Sequence, residues 1–81
     1  DNGGMKLHVE HVAMLVVHGL PRDGMVELPE GATAADLLRH LKVTPAHQPA
    51  VTFFINEQRV RPNRVLQAGD RVFLGLPMSG G

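Results

Sequence analysis

The sequence lacks cysteine, an excess of charge of either sign, and any long apolar run. The absence of cysteine excludes disulfides, thiolate nucleophiles and cysteine-based zinc sites, and it fits a reducing compartment. Eight Lys and Arg residues balance eight Asp and Glu residues, so the excess positive charge that nucleic-acid binding uses is missing. The longest apolar run, residues 12–17, is far too short to span a bilayer, and the first residues lack the layout of a signal peptide. We therefore expect a cytoplasmic protein that binds neither nucleic acid nor a membrane.

The length of 81 residues allows one small domain. A chain of this size buries only about 60% of the surface that its unfolded form exposes, which leaves little room for an enclosed active site. We therefore expect a binding or carrier protein with no catalytic residues, and not an enzyme. Residues 1–4 are expected to be disordered or a remnant that precedes a natural start at Met5. Residues 5–77 are expected to form the domain, and residues 78–81 a flexible tail.

The first third of the sequence has the composition of a β-hairpin. Residues between Lys6 and Val17 are mostly β-branched or apolar, which predicts a first strand. Turn residues between Pro21 and Gly24 lead into a short second strand over residues 25–28.

One helix is predicted from about Thr33 to Lys42. Thr33 is placed to cap its first turn, and Asp36 stands where the acidic member of a capping box is expected. Four apolar residues recur at the spacing of one helix face: Ala34, Leu37, Leu38 and Leu41. Later strands are predicted near residues 50–55, 59–60 and 71–76. The order predicts an α+β fold, with a mixed sheet of four to five strands packed on one main helix.

Five histidines raise the possibility of a metal site. His8 and His11 stand three apart on a predicted strand, so they point to opposite faces. The other three are scattered over a turn, a helix end and a loop: His18, His40 and His47. Without cysteine or a matching carboxylate spacing, no metal site is expected.

The second half of the chain offers two candidate docking features. Half of the positive charge lies in one short stretch, at Arg59, Arg61, Arg64 and Arg71. Such a cluster is typical either of a docking patch for an acidic partner or of a solvated strand edge. Alternation in the last strand puts Val72, Leu74 and Leu76 in the core and Arg71, Phe73 and Gly75 on the other face. Phe73 is then either an exposed docking anchor or part of the core, and the same two roles are open to one of the adjacent pair Phe53 and Phe54.

The sequence ends in Pro77-Met78-Ser79-Gly80-Gly81. Two glycines carry no side chain to block a narrow channel and adopt almost any backbone conformation. Such a segment is able to thread its carboxylate into the active site of another protein, although a frayed terminus has the same composition.

These features together resemble the MoaD/ThiS family of sulfur-carrier proteins. The likeness spans nearly the whole chain from Met5, and it includes the helix entry, Leu28 to Thr33 and Asp36 to Leu38. It rests further on Phe54-Ile55-Asn56, Val60, Leu66, Gly69-Asp70, Val72, Leu74, Pro77 and Ser79-Gly80-Gly81. The resemblance implies a ubiquitin-like β-grasp fold.

The resemblance also implies a mechanism. A ubiquitin-activating-like enzyme that uses ATP would adenylate the carboxylate of Gly81, and a persulfide sulfur donor would convert it to a thiocarboxylate. A synthase subunit would then accept the sulfur. Gly80, Ser79 and Met78 would thread into these partners, and the chain itself would bind no cofactor or metal. We expect it to be a monomer when free, because a carrier exchanges between partners.

The residues indicate the family more clearly than they indicate its molybdopterin or thiamine branch. The spacing from Asn56 to Asp70 and the ending Leu76 to Gly81 resemble the molybdopterin branch more than the thiamine branch. Gly75 departs from the bulky apolar docking residue of the molybdopterin carriers, and Phe73 or Leu74 is expected to replace it. Arg59 and Arg61 are further candidates for docking. A ubiquitin-like modifier conjugated through Gly81 and a simple β-grasp interaction module remain as alternatives.

Overall fold

A computed structural model describes residues 4–77 and shows a five-stranded mixed sheet packed on one helix. The sheet order is β2-β1-β5-β3-β4, in which β1 and β5 run parallel and the other neighbours run antiparallel. The elements are β1 (Gly4–His11), β2 (Met25–Pro29), α1 (Ala34–His40), a short 3-10 helix (Gln48–Ala50), β3 (Thr52–Ile55), β4 (Gln58–Val60) and β5 (Arg71–Gly75). The predicted α+β fold is confirmed. β1 begins at Gly4, which pairs with Pro29, so the predicted disorder of residues 1–4 is wrong at its last position.

Alternation along each strand separates an inner face, toward α1, from an outer face. The inner face of the three central strands carries buried apolar side chains: Met5, Leu7, Val9, Phe53, Ile55, Val72 and Leu74. They form one core with the predicted helix stripe, Ala34, Leu37, Leu38 and Leu41. The outer face carries Phe54, Phe73 and charged residues, because these alternate with the core positions. The predicted alternation of the last strand is therefore confirmed.

The first strand is shorter than its composition predicts. β1 ends at His11, and the strand predicted to continue to Val17 is replaced by a loop. The reason is pairing: β2 pairs with β1 only as far as His8, and β5 pairs with it only as far as His11. One further backbone bond, from the Val12 N–H to the Leu74 carbonyl, ends the contact between the two strands. The apolar run instead covers the end of the core, with Leu15 buried there.

The helix has the predicted N-terminal cap. Thr33 Oγ1 accepts a hydrogen bond from the Asp36 backbone N–H at 3.2 Å, and Asp36 Oδ2 accepts one from the Thr33 N–H at 2.9 Å. Asp36 also pairs with Arg39. The bond from the Thr33 backbone and then the Arg39 guanidinium hold the pKa of the Asp36 carboxyl below its usual value. Within residues 4–77, no helix is long and apolar enough to cross a membrane.

The helix ends at His40, two residues before the predicted end, in a Schellman motif. The Lys42 N–H donates to the Arg39 carbonyl, and the Val43 N–H donates to the Leu38 carbonyl, both at 3.1 Å. Lys42 takes a φ of 57°, a left-handed conformation in which a Cβ is unfavourable.

Lys42→Gly is expected to stabilise the fold by roughly 0.5–1 kcal/mol, because glycine removes the left-handed strain at some cost in unfolded-state entropy. Urea unfolding of the wild type and of the Lys42→Gly variant measures the difference in their free energies of unfolding. Lys42→Ala is the matched control: it keeps the Cβ and should give no gain. Equal stabilities of the glycine and alanine variants would contradict the argument.

The capping box should make stability depend on pH. Because the pKa of Asp36 is lowered on folding, its contribution is complete above its usual value of 3.8 and is lost as the pH falls through the lower folded value. The difference in melting temperature between wild type and Asp36→Asn should therefore be constant above about pH 5 and shrink below the usual carboxyl pKa. A difference that does not change between pH 6 and pH 2 would show that the carboxylate is not stabilised by folding.

Candidate functional site

β5 fixes the point at which the C-terminal residues leave the domain. It is held on both sides, since Gly75 pairs with Thr52 of β3 and the Val12 N–H donates to the Leu74 carbonyl at 3.0 Å. Leu76 is half-buried against the core, and Pro77 is exposed. The chain thus emerges at Pro77 from the middle of the sheet. The predicted tail residues lie outside the described residues: Met78, Ser79, Gly80 and Gly81.

An aromatic pair lies on the outer face just before this exit. Phe54 and Phe73 pair across β3 and β5, with ring centroids 6.3 Å apart and planes tilted by 55°. Phe73 is 38% exposed, Phe54 is half-buried, and Phe53 points into the core. A Cβ on Gly75 would lie 3.5 Å from the Phe73 ring and 3.9 Å from the Phe54 ring. The two rings therefore flank Gly75 and supply the apolar surface that this residue lacks.

Charged side chains of both signs surround the aromatic pair. An open groove of about 550 Å³ is lined by both rings and by His8, Glu10 and Arg71. His8 Nε2 lies 4.0 Å from Glu10 Oε2, and Arg71 stands opposite His8 in the β1–β5 register. An apolar centre with a polar rim is typical of a protein interface.

The four arginines do not form one patch. Arg59 is exposed and stands opposite Phe54, so it lies on the outer face near the aromatic pair. Arg61 is exposed just beyond β4. Arg64 instead turns inward, with Nη1 3.6 Å from Asp70 Oδ2. The cluster predicted from sequence is thus divided between a surface role and a structural one.

Leu74 does not belong to a docking surface. Its exposed fraction is 0%, because the alternation of β5 points it at the core. The proposal that Leu74 replaces the missing docking residue at Gly75 is therefore wrong. Of the two candidates, only Phe73 reaches the surface.

A buried polar network fixes the start of β5. Asp70 is buried, and its two carboxylate oxygens accept from Asn56 Nδ2 at 3.0 Å and from the Gln67 N–H at 2.9 Å. Asn56 Oδ1 in turn accepts from the Arg71 N–H at 3.0 Å. The network joins the two-residue turn between β3 and β4 to β5. It sets the register of β5 and hence the place where the chain emerges.

The histidines do not gather around one point. His8 lies on the outer face, while His11 Nδ1 is 2.7 Å from the Val12 carbonyl oxygen. In the part of the chain that the structure describes, no three His, Asp or Glu side chains are placed to hold a metal ion.

Two exposed apolar residues were missed by the sequence reasoning. Met14 is 85% exposed and Val16 is 67% exposed, both in the loop that replaces the predicted end of the first strand. The signal that would have identified them is an apolar run that continues beyond the last residue of β1 able to pair with a neighbouring strand.

The fold and the position of the chain exit define a ubiquitin-like protein. The structure resembles the solution structure of the HVO 2177 protein from Haloferax volcanii, with a TM-score of 0.67 and 22% identity over 100% of this chain and 91% of that one. It also resembles the crystal structure of SAMP1 from Haloferax volcanii, with a TM-score of 0.59 and 22% identity over 98% of this chain and 100% of that one. These neighbours show the β-grasp fold.

The family is defined by sequence. The ThiS family model matches residues 18–81, and the chain belongs to the ThiS family. A comparison with curated proteins finds no match. The resemblance drawn from the residues is confirmed: the chain is a small ubiquitin-like protein of the ThiS family.

Asp70→Asn is expected to destabilise the fold by about 1–3 kcal/mol, because both oxygens of this buried side chain accept hydrogen bonds and the new amide would turn its N–H groups toward one of the two donors. Urea unfolding measures the effect. Glu57→Gln, an exposed amide substitution in the adjoining turn, is the control and should change little. An Asp70→Asn protein as stable as this control would show that the network is not needed.

Proposed function

We propose that this protein is a sulfur carrier. The carboxylate of Gly81 is adenylated by a ubiquitin-activating-like enzyme and then converted to a thiocarboxylate that donates sulfur in cofactor biosynthesis. The observation that supports this most is the exit of a central strand at Pro77, beside an exposed aromatic pair, in a chain of the ThiS family. Because Pro77 is exposed, the chain has left the core at this point.

The chemistry explains why activation is needed. A bare carboxylate offers no leaving group, so one of its oxygens attacks the α-phosphorus of ATP and pyrophosphate departs. The terminal sulfur of a partner's persulfide then attacks the carbonyl carbon, and AMP leaves. Cleavage of the remaining S–S bond by a thiol releases the thiocarboxylate on Gly81. The partners supply ATP, persulfide and thiol, so this chain acts as a substrate with no catalytic side chain.

The outer face supplies the docking surface in this proposal. Phe73, with Phe54 beside it, is the apolar anchor, and Arg59 lies on the same face to pair with an acidic group of the partner. Arg61 extends the positive charge past the end of β4. The anchor is near the exit of the chain, so one partner can contact the anchor and receive the tail together.

We further propose molybdopterin synthesis as the pathway, on the ending Leu76 to Gly81 and the Asn56–Asp70 spacing. The thiazole of thiamine is the alternative sulfur acceptor. A modifier would use the same activated carboxylate to acylate lysines of other proteins, without the sulfur step. The two sulfur pathways differ in the acceptor that the thiocarboxylate sulfur attacks, whereas in the modifier a lysine amine attacks the activated carbonyl carbon of Gly81.

Incubation with ATP, the activating enzyme of the same organism and a persulfide donor is expected to exchange one oxygen for sulfur. Intact-mass spectrometry, followed by mapping of the C-terminal peptide, measures the exchange. A variant with one alanine added after Gly81 is the control and should be unmodified at Gly81, because the reacting carboxylate is displaced.

An unmodified wild-type chain, beside another carrier that the same enzyme does convert, would overturn the proposal. Adenylation followed by isopeptide ladders in cell extracts, with no thiocarboxylate, would instead favour the modifier. For a confirmed carrier, deletion of the gene separates the pathways. Loss of molybdoenzyme activity supports molybdopterin, and a thiamine requirement supports the alternative.

A further inference from the structure

The loop between β1 and β2 carries an uncharged apolar surface. Residues 12–20 include no Asp, Glu, Lys or Arg. Met14 and Val16, at 85% and 67%, are the most exposed of the large hydrophobic side chains in residues 4–77. These two side chains stand two residues apart in an uncharged segment, and an exposed apolar surface of this kind is typical of a surface that another protein covers.

This loop lies at the end of the sheet from which the chain emerges. β1 and β5 are parallel neighbours, so their carboxyl ends lie side by side at that end. The first residue of the loop, Val12, bonds directly to Leu74, three residues before Pro77. The loop then crosses to the end of α1, where the His18 N–H donates to the Leu41 carbonyl at 2.8 Å.

The exposure of Met14 and Val16 does not come from a loose loop. Leu15, between them, is buried in the core. Its N–H donates to the Val12 carbonyl at 3.1 Å, and the His18 bond holds the other side of the pair. The loop therefore presents the two side chains in a fixed arrangement, which lowers the entropy lost when a partner binds.

The length of the tail limits where a partner sits. The proposed function makes Gly81 the reacting terminus. Four residues then follow Pro77, and an extended chain spans at most about 3.6 Å per residue, so the carboxylate could reach no further than roughly 14 Å from Pro77. An enzyme that receives this carboxylate has to bring its surface to the same end of the sheet. Met14 is two residues from Val12 and therefore lies within about 8 Å of it, close to the Val12–Leu74 bond.

We propose that Met14 and Val16 form a contact site for the adenylating enzyme, received by an uncharged apolar pocket beside the channel that takes the tail. This inference rests on the proposed function. It adds to the outer face a second contact, in the loop that is bonded to the end of β5 through Val12. The chain then enters the channel in one orientation.

The double variant Met14→Ser, Val16→Ser tests the proposal in ATP-dependent adenylation by the activating enzyme of the same organism, followed as pyrophosphate release. The KM for the carrier is expected to rise at least tenfold with kcat within about twofold, because the contact aids binding and does not touch the reacting atoms. Val65→Ser is the matched control. Val65 is 50% exposed, but it bridges to Thr33 at the start of α1, away from the loop. The KM measured with the Val65→Ser variant should therefore equal that of the wild type.

The outcomes separate the two proposals. Adenylation of the wild type with an unchanged KM for the double variant would overturn the contact site and leave the carrier function standing. Failure to adenylate the wild type would overturn the carrier function and, with it, the contact site. Thermal unfolding checks that the double variant is folded. The single variant Met14→Ser, at the most exposed position, repeats the test, and its KM is expected to rise by less.

Discussion

The parallel pairing of β1 with β5 is the interaction on which the rest of the structure depends. It places the last strand in the middle of the sheet, with β1 on one side and β3 on the other. Parallel neighbours need a long connection, and here that connection includes the helix that covers the inner face. As a result, the chain leaves the domain at Pro77 from a strand that is paired on both sides. In the proposed function, this strand is the fixed base of the segment that enters another protein's active site.

The features that sequence predicted well are those decided by neighbours along the chain. Thr33 and Asp36 form the capping box because both partners lie within one helical turn. The alternation in β5 was read correctly because the side-chain period of a strand is fixed. The aromatic Phe73 on the outer face follows from the same rule.

The features that sequence missed depend on distant parts of the chain. Residues 12–17 have the composition of a strand, yet a strand needs a partner, and the lengths of β2 and β5 decide where pairing stops. Asn56 and Asp70 were noticed for their spacing, but their hydrogen bond requires the β3–β4 turn to meet the start of β5. Leu74 was assigned both to the core and to docking, and only its burial decides between these roles.

The parallel strands also separate the two ends of the domain. β1 begins at Gly4 and runs through eight residues toward the end of the sheet where Pro77 emerges, a length of about 23 Å at roughly 3.3 Å per step. A fusion partner, an affinity label or a solid support attached before Gly4 therefore joins the domain at the end of β1 opposite to the chain exit at Pro77. Immobilising the protein by its amino end would leave the side of the exit accessible, which is the side that the proposed function needs.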